Sequence, residues 1–309
     1  MHNGFAARLL APLGALYGAS VARKAKTSRS YRAAIPVICV GNLTAGGSGK
    51  TPVAIAVAQA LIARGARPFF LTRGYGGNVR RAALVTQSDS AAQVGDEALL
   101  LTRTAPVIVE ADRAEGAALA EAQSAGIIVM DDGHQNFGLR KNLSLIVVDG
   151  QTGFGNGRMI PAGPLREPVA QGLARADAVI AMGEGMPDLG GFAGPVLRAR
   201  LHADGETLRG RKIFAFAGIG RPEKFTDSLR QAGAIITGAK FFSDHHPYSA
   251  REIAALRTAA GNALLVTTEK DLVRLAPEQR TGIAVLPVRA VFDNPAGLAR
   301  LLDRVSPAV

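Results

Sequence analysis

The stretch Ile38-Cys-Val-Gly-Asn-Leu-Thr-Ala-Gly-Gly-Ser-Gly-Lys-Thr-Pro52 decides how this chain is read. An apolar run enters a glycine-rich loop that ends Gly49-Lys50-Thr51, and an Ala-rich helical pattern follows. That order is what a Walker A phosphate loop requires. Glycines let backbone N–H groups converge on phosphate oxygens, and the dipole of the following helix favours the anion. Lys50 is placed to reach the outer phosphates of a nucleotide and Thr51 to hold Mg²⁺. Pro52 falls in the first helical turn, where it costs no hydrogen bond. One position departs from the general pattern, because Thr44 stands where the first Walker glycine would fall.

Around this loop the chain alternates. Apolar runs at 35–40, 69–72, 107–109, 127–130, 145–148 and 179–182 predict strands, and residues 52–64 and 113–125 predict helices between them. The alternation argues a largely parallel α/β sheet. Glycine and proline accumulate after 183. Runs at 196–201 and 206–212 flank Ala203-Asp-Gly205, which reads as a hairpin-like connector. A second α/β pattern follows, with strands at 213–217, 234–237, 263–267 and 283–286 and helices at 222–232, 249–259 and 270–275. The expected organisation is a helical segment at 1–32, a P-loop domain at 33–190, a connector at 191–212 and a second α/β domain at 213–309. No internal repeat is evident.

Charge is distributed unevenly. The formal net charge is +11, yet the first carboxylate is Asp89, and residues 1–88 hold 12 Lys+Arg. The remainder is nearly neutral, which excludes an evenly basic coat and points to a local anionic partner. Phe5, Leu9, Leu13, Leu16, Tyr17 and Val21 recur at near-helical spacing, and Arg23, Lys24, Lys26, Arg29 and Arg32 follow. The apolar stretch is too short to span a bilayer. With its basic cluster after the apolar run, the segment suits an interfacial helix better than a secretory signal. A helix docked on the protein's own core is the alternative. Pro12 is expected to kink or divide it. The single cysteine, Cys39, excludes an intramolecular disulfide and a multi-cysteine zinc site, and suits a reducing compartment. A basic nucleic-acid binder is poorly supported, since the chain has no Trp and 5% aromatic residues.

Three polar clusters stand out. Asp131-Asp132-Gly133 ends an apolar strand, the Walker B arrangement for Mg²⁺, although Asp-Gly also suits a turn. Asp96-Glu97 precedes an apolar helix and by itself reads as a helix cap. Asp244-His245-His246 precedes another helix and could be a solvated loop, a metal site or a polar catalytic cluster; as a zinc set it is incomplete. Two other P-loop classes fit less well. Membrane-associated ATPases of the deviant Walker type place a lysine where this chain has Ala45. Thr268-Glu-Lys-Asp271 lacks the spacing of a guanine-recognition motif.

Taken together, the motifs resemble the tetraacyldisaccharide 4′-kinase family of Gram-negative bacteria. The likeness runs through Val40–Pro52, Thr72-Arg-Gly-Tyr-Gly-Gly77, Val94-Gly-Asp-Glu97, Asp131-Asp-Gly133, Gly155-Asn-Gly-Arg158, Pro161-Ala-Gly-Pro-Leu-Arg-Glu-Pro168, Phe216-Ala-Gly-Ile-Gly220, Asp244-His-His246 and Thr268-Glu-Lys-Asp271. Thr44 is then unexceptional, because the family lacks the first Walker glycine. The resemblance implies ATP- and Mg²⁺-dependent phosphorylation of the 4′-hydroxyl of a tetraacylated disaccharide 1-phosphate, giving lipid IVA at the cytoplasmic face of the inner membrane. It also implies two α/β domains joined by a β-ribbon, with the nucleotide in the cleft between them. The protein would sit peripherally on the anionic inner-membrane surface, with no nucleic acid and no obligate protein partner. Matched to the family, residues Thr44, Ala45, Gly46, Gly47, Ser48, Gly49, Lys50 and Thr51 form the ATP loop. Thr51, Asp131 and Asp132 match the Mg²⁺ ligands, Asp96 the base for the sugar hydroxyl, and His245 its supporting histidine. Tyr75, Glu97, Arg113, Gln135 and Glu167 match positions around the cleft. One segment departs: the family's Asp-Asp-Gly-Phe-Gln-His is here Asp131-Asp-Gly-His-Gln-Asn136, so His134 replaces an aromatic and Asn136 a histidine.

Overall fold

The computed structural model describes residues 5–305, so residues 1–4 and 306–309 of the two terminal segments lie outside it, as do the side chains of Phe5 and Ala6. Among the described residues thirteen strands follow in chain order: β1 (Val37–Gly41), β2 (Pro68–Thr72), β3 (Ala83–Leu84), β4 (Val107–Val109), β5 (Ile127–Asp131), β6 (Leu143–Asp149) and β7 (Ala178–Met182). Then come β8 (Val196–Ala203), β9 (Lys212–Ala217), β10 (Ile235–Phe241), β11 (Leu264–Thr268), β12 (Ile283–Leu286) and β13 (Val288–Phe292). The larger sheet runs β13-β8-β7-β6-β1-β5-β2-β4-β3, and the smaller runs β10-β9-β11-β12. In the larger sheet only the edge pairs β3–β4 and β13–β8 are antiparallel; the smaller sheet is parallel throughout. The expected α/β class is therefore the observed one.

Strands β1, β2, β4, β5, β6 and β7 are buried along their whole length, which is why they read as unbroken apolar runs. On one face the helix Lys50–Ile62 sets Val53, Val57 and Leu61 against Ile38, Phe70 and Val107. On the other, the helix Arg113–Ala122 lays Ala117 and Ala120 over Leu71, Ile128 and Met130. The smaller sheet has its own core of Ile213, Ala215, Phe225, Leu229 and Val266 on one face and Phe216, Ile253 and Leu256 on the other.

Two expected boundaries are redrawn. The connector is not a hairpin closed within 191–212, because β8 pairs with β7 and with β13, and residues 206–208 form a single 3₁₀ turn. Nor does 213–309 form one unit. Strand β13 joins the larger sheet, and the helix Pro295–Asp303 buries Leu298, Leu301 and Leu302 in that sheet's core. The crossing between sheets is thus an antiparallel ribbon whose strands lie far apart in sequence, with Val288 opposite Ala203 and Phe292 opposite Ala199. Pro287 separates β12 from β13. It has no N–H for a ladder, so one sheet ends there while its carbonyl accepts from Asp204 N at 2.9 Å.

At the N-terminus, helices Phe5–Leu9 and Ala11–Thr27 are divided at Leu10, with Pro12 in the first turn of the second. This longer helix approaches the body through Gly14 and Gly18, where an added Cβ would lie 3.0 and 3.1 Å from Met159 atoms. Leu9, Leu13 and Leu16 face outward, 69%, 54% and 69% exposed. Among the described residues no helix is long and apolar enough to cross a membrane.

Because Leu302 is fully buried in the larger sheet's core, Leu302→Ala should destabilise the P-loop side of the molecule by about 2–5 kcal/mol. Urea unfolding followed by hydrogen exchange should locate the loss in β1 and the helix Lys50–Ile62. A loss confined to β9–β12 would contradict this packing.

Candidate active site

Strand β1 lies between β5 and β6, and its end delivers the loop at the point where the chain's progression across the sheet reverses. Gly49 caps the helix Lys50–Ile62 at φ +87°, a left-handed conformation that suits glycine. The loop is braced from several sides. Asn42 Nδ2 donates to Ser48 Oγ at 3.0 Å. Ala45 N donates to Pro164 O at 2.7 Å, and Arg166 N to Leu43 O at 2.8 Å. The Pro161–Pro168 segment singled out in the sequence is therefore the outer wall of the phosphate loop.

Parallel pairing places Val40 opposite Asp131, so the carboxylates at the end of β5 stand beside the loop. Thr51 Oγ1 donates to Asp131 Oδ2 at 3.0 Å, and Lys50 Nζ lies 3.8 Å from Asp132 Oδ1. Arg166 Nη1 donates to that same Asp132 oxygen at 2.7 Å. The two neighbouring acids are driven apart in acidity. Burial, with the charges of Glu97 and Asp132, pushes Asp131 up to about 7. Burial also opposes ionisation of Asp132, but Lys50 and Arg166 outweigh it and hold that carboxyl below its ordinary value. Asp131 Oδ1 is buried with no hydrogen-bond partner. An unpaired carboxylate oxygen beside a threonine hydroxyl and a second carboxylate is a hard-oxygen set that fits Mg²⁺.

The second cluster joins the two sheets. Asp96 is the first residue of the helix Asp96–Leu101 rather than its cap, and it is buried. His245, after β10, holds a positive φ of 59° and sets its Nδ1 3.0 Å from Asp96 Oδ2. Arg274 Nε donates to the same oxygen at 2.8 Å, and its Nη2 reaches it too. Lys270 Nζ lies 3.2 Å from Glu97 Oε1 and 3.9 Å from Asp96 Oδ2. Burial disfavours the Asp96 anion, yet Lys270, Arg274 and His245 outweigh that and hold the carboxyl below its usual range. Glu97 ties this cluster to the first, since its charge is felt at Asp131.

The structure thus brings Lys50, Thr51, Asp131 and Asp132 together, and Asp96 with His245. Tyr75 lies edge-on to the His245 ring at 5.6 Å between centroids. The adjacent histidines part company: His246 Nε2 is 3.0 Å from Glu252 Oε1 and its ring stacks on Phe242, which removes the zinc reading. Arg113 is buried beside β4, where burial and then Arg73 lower it to about 10. Gln135 and Glu167 form a support beneath the loop, with Gln135 Nε2 donating to Asn42 O and to Glu167 Oε1, each at 2.8 Å. Glu167 is ion-paired to Arg175. Arg166, Lys270 and Arg274 are the side chains that sequence reasoning gave no role. The first and second lay inside quoted motifs, whereas nothing local marks Arg274.

His134 is structural. Burial, then the charges of Arg175 and Lys141, lower it to about 3, so the ring is neutral. Gly172 O at 3.0 Å can only accept, so Nε2 carries the proton, and Nδ1 accepts from Ser144 Oγ at 3.1 Å. Asn136 Oδ1 accepts from Gly138 N and Leu139 N, shaping the turn. The replaced histidine is therefore not compensated by His134, which lies under the loop rather than in the cleft.

A parallel α/β sheet, a Lys-Thr phosphate loop and strand-end carboxylates define a P-loop protein. The family model for tetraacyldisaccharide-1-P 4′-kinase matches residues 6–306. Tetraacyldisaccharide 4′-kinase of Paramagnetospirillum magneticum is 53% identical over 307 residues, covering 96% of this chain and 94% of that protein. The Rhodospirillum rubrum tetraacyldisaccharide 4′-kinase is 50% identical over 315 residues, covering 98% and 95%. A crystal structure of LpxK from Aquifex aeolicus in complex with ATP has the same fold, with TM-score 0.82 at 24% identity over 98% of this chain and 100% of that one. The chain belongs to the tetraacyldisaccharide-1-P 4′-kinase family.

His134 resists protonation in the fold but not in the unfolded chain, so its contribution weakens folding as pH falls through its ordinary value of 6.5 and levels off near 3. Because Asp131 titrates in the opposite sense, the comparison must be differential. The stability of wild type minus that of His134→Gln should fall with pH across this window, measured by urea titration at each pH. A pH-independent difference would show that His134 is not held neutral.

Proposed function

We propose that this chain transfers the γ-phosphoryl group of ATP to the 4′-hydroxyl of a tetraacylated disaccharide 1-phosphate, giving lipid IVA for lipid A. The carrying observation is the placement of a buried carboxylate, Asp96, beside a P-loop in a cleft closed by the second sheet's side chains. Family membership supports the substrate, and the ATP complex of the Aquifex aeolicus protein supports the nucleotide.

Phosphoryl transfer is chiefly positioning and charge stabilisation. The loop amides of residues 44–51 cradle the phosphates, and Lys50 neutralises the outer ones. Thr51, Asp131 and Asp132 are the residues that would hold Mg²⁺, which supplies charge neutralisation to the β- and γ-oxygens when bound. Asp96 accepts the proton of the sugar hydroxyl as its oxygen attacks, and His245 orients that carboxylate. Tyr75 and Glu97 border the same cleft.

The acyl chains of such a substrate remain in a bilayer, so the enzyme works at the membrane surface. We place it peripherally on the cytoplasmic face of the inner membrane. The outward Leu9, Leu13 and Leu16, with Arg8, Arg23, Lys24 and Lys26 on the same two helices, suit an anionic interface. Each such cation contributes about 1 kcal/mol near the surface.

The acceptor assay tests this reading. Purified protein with γ-labelled ATP and Mg²⁺ should label the disaccharide 1-phosphate. Lys50→Ala should lower that rate by about 10²–10³-fold, and chelation of divalent cations should stop it. Asp96→Ala and His245→Ala should reduce turnover more than ATP affinity. A folded protein that binds ATP but leaves the acceptor unlabelled would refute the substrate assignment. Separately, Leu13→Glu with Leu16→Glu should reduce co-sedimentation with anionic vesicles while leaving ATP binding unchanged. Undiminished sedimentation would rule out the helix as the membrane contact.

A further inference from the structure

We propose that Arg274 is a positioning residue that delivers Asp96 as an oriented base only when the second sheet's unit is docked on the P-loop unit. This rests on the reading of Asp96 as the base for the acceptor hydroxyl.

Arg274 is itself held by its own unit. Its Nη1 donates to Gly218 O at 2.7 Å and to Asp271 Oδ1 at 2.9 Å. Asp271 is fully buried and receives Tyr248 Oη at 2.8 Å, Thr268 Oγ1 at 2.6 Å and Gly218 N at 2.9 Å. The second unit has thus built a rigid seat for one edge of a planar guanidinium whose side chain is 5% exposed. The opposite edge, Nε and Nη2, is presented across the boundary between units, and both nitrogens meet one oxygen, Asp96 Oδ2.

With His245 Nδ1 also on Oδ2, that oxygen has three donors, at least as many as its lone pairs accommodate. Among the described residues Asp96 Oδ1 accepts only from the adjacent Glu97 N, at 2.9 Å. The carboxylate is therefore divided: Oδ2 is committed to the second unit, and the spare acceptor capacity for a hydroxyl proton lies at Oδ1. A lysine at 274 would keep the charge but lose the fork that fixes the carboxylate plane.

The charged groups facing Asp96 come from three elements. Glu97 is on its own helix. Lys270, Asp271 and Arg274 lie on the helix Glu269–Leu272 and the turn after it. His245 lies on the loop after β10, with Asp244 Oδ2 3.9 Å from its Nε2. Removing Arg274 withdraws the one cation that contacts Asp96 at two nitrogens. The carboxyl then gains proton affinity, so the acid limb of turnover moves to higher pH.

The test uses the full chain with saturating ATP and disaccharide 1-phosphate, measuring turnover against pH for Arg274→Ala, Arg274→Lys and Asp96→Asn. Arg274→Ala should lose about 10–10²-fold in kcat, within the range a general base contributes, and its acid limb should shift upward. Its KM for ATP should change by less than about threefold, as for an interaction outside nucleotide binding. Arg274→Lys should be intermediate in both kcat and acid limb, and added millimolar guanidinium should restore part of the Arg274→Ala rate. Circular dichroism reports folding; if the alanine variant is unfolded, the lysine variant is judged by the same criteria. A wild-type acid limb in the folded variants, or a loss confined to the ATP KM, would overturn the inference. Full activity in Asp96→Asn would instead overturn the reading of Asp96 as base, so the two failures are distinguishable.

Discussion

Everything at this site depends on the register of one parallel ladder. Strand β1 carries the phosphate loop and β5 ends in Asp131 with Asp132 just after it, and their pairing sets Val40 against Asp131. A slip of one residue would turn each side chain of β5 to the opposite face and remove Asp131 from Thr51. Both faces of this pair are buried, by Val53 and Val57 on one side and Ala117 and Ala120 on the other, so the slip would expose two apolar layers at once. The loop after β1 adds a second restraint. Pro164 O holds Ala45 N, and Gln135 links Asn42 O to the buried Glu167. Loop shape is thereby coupled to a segment more than a hundred residues later.

The parts of this arrangement that were legible in the sequence are those built from local pattern. Strands β1 to β7, short β3 apart, could be read because burial on both faces leaves an uninterrupted apolar run. The phosphate loop could be read because its glycines, Lys50 and Thr51 are contiguous. The end of the strand at 283–286 was legible, but the strand after Pro287 was not expected, and only pairing reveals that residues 288–292 belong to the other sheet. Arg274 was invisible for a similar reason. Its partner Asp96 is 178 positions away, and an arginine two residues past a short helix carries no local signal. The adjacent histidines 245 and 246 looked like one cluster, and only a positive φ at His245 turns them to different partners.

The uneven charge of the first 88 residues also takes on a physical shape. Part of it is internal structure: Arg64 donates to Ala299 O at 2.9 Å and pairs with Asp303 at 2.9 Å, fastening the returning C-terminal helix to the P-loop helix. Lys50 belongs to the phosphate loop. The cations of the N-terminal helices remain mostly outward, beside leucines that the body leaves exposed. Gly14 and Gly18 let this helix sit close on Met159 while its other face stays open, so docking on the protein leaves the leucine face free for the proposed surface contact.

The boundary between the two sheet units is mostly acid on one side and base on the other. Asp96, Glu97 and Asp149 belong to the P-loop unit, and they meet His245, Lys270, Arg274, Arg221 and Lys224 of the second. Among the described residues only Arg103 with Glu269 runs the other way. These pairs are unequal. Arg221 and Lys224 are substantially exposed, so their bonds to Asp149 are screened by salt and contribute little. Asp96 and Arg274 are both nearly inaccessible, and separating them leaves two desolvated charges without partners. A rim that yields and a centre that does not make opening of the cleft costly chiefly at Asp96. On the proposed reading of Asp96 as the base, the contact that resists opening also helps Lys270 and His245 hold this carboxylate ionised, so closure and readiness of the base would be one event rather than two.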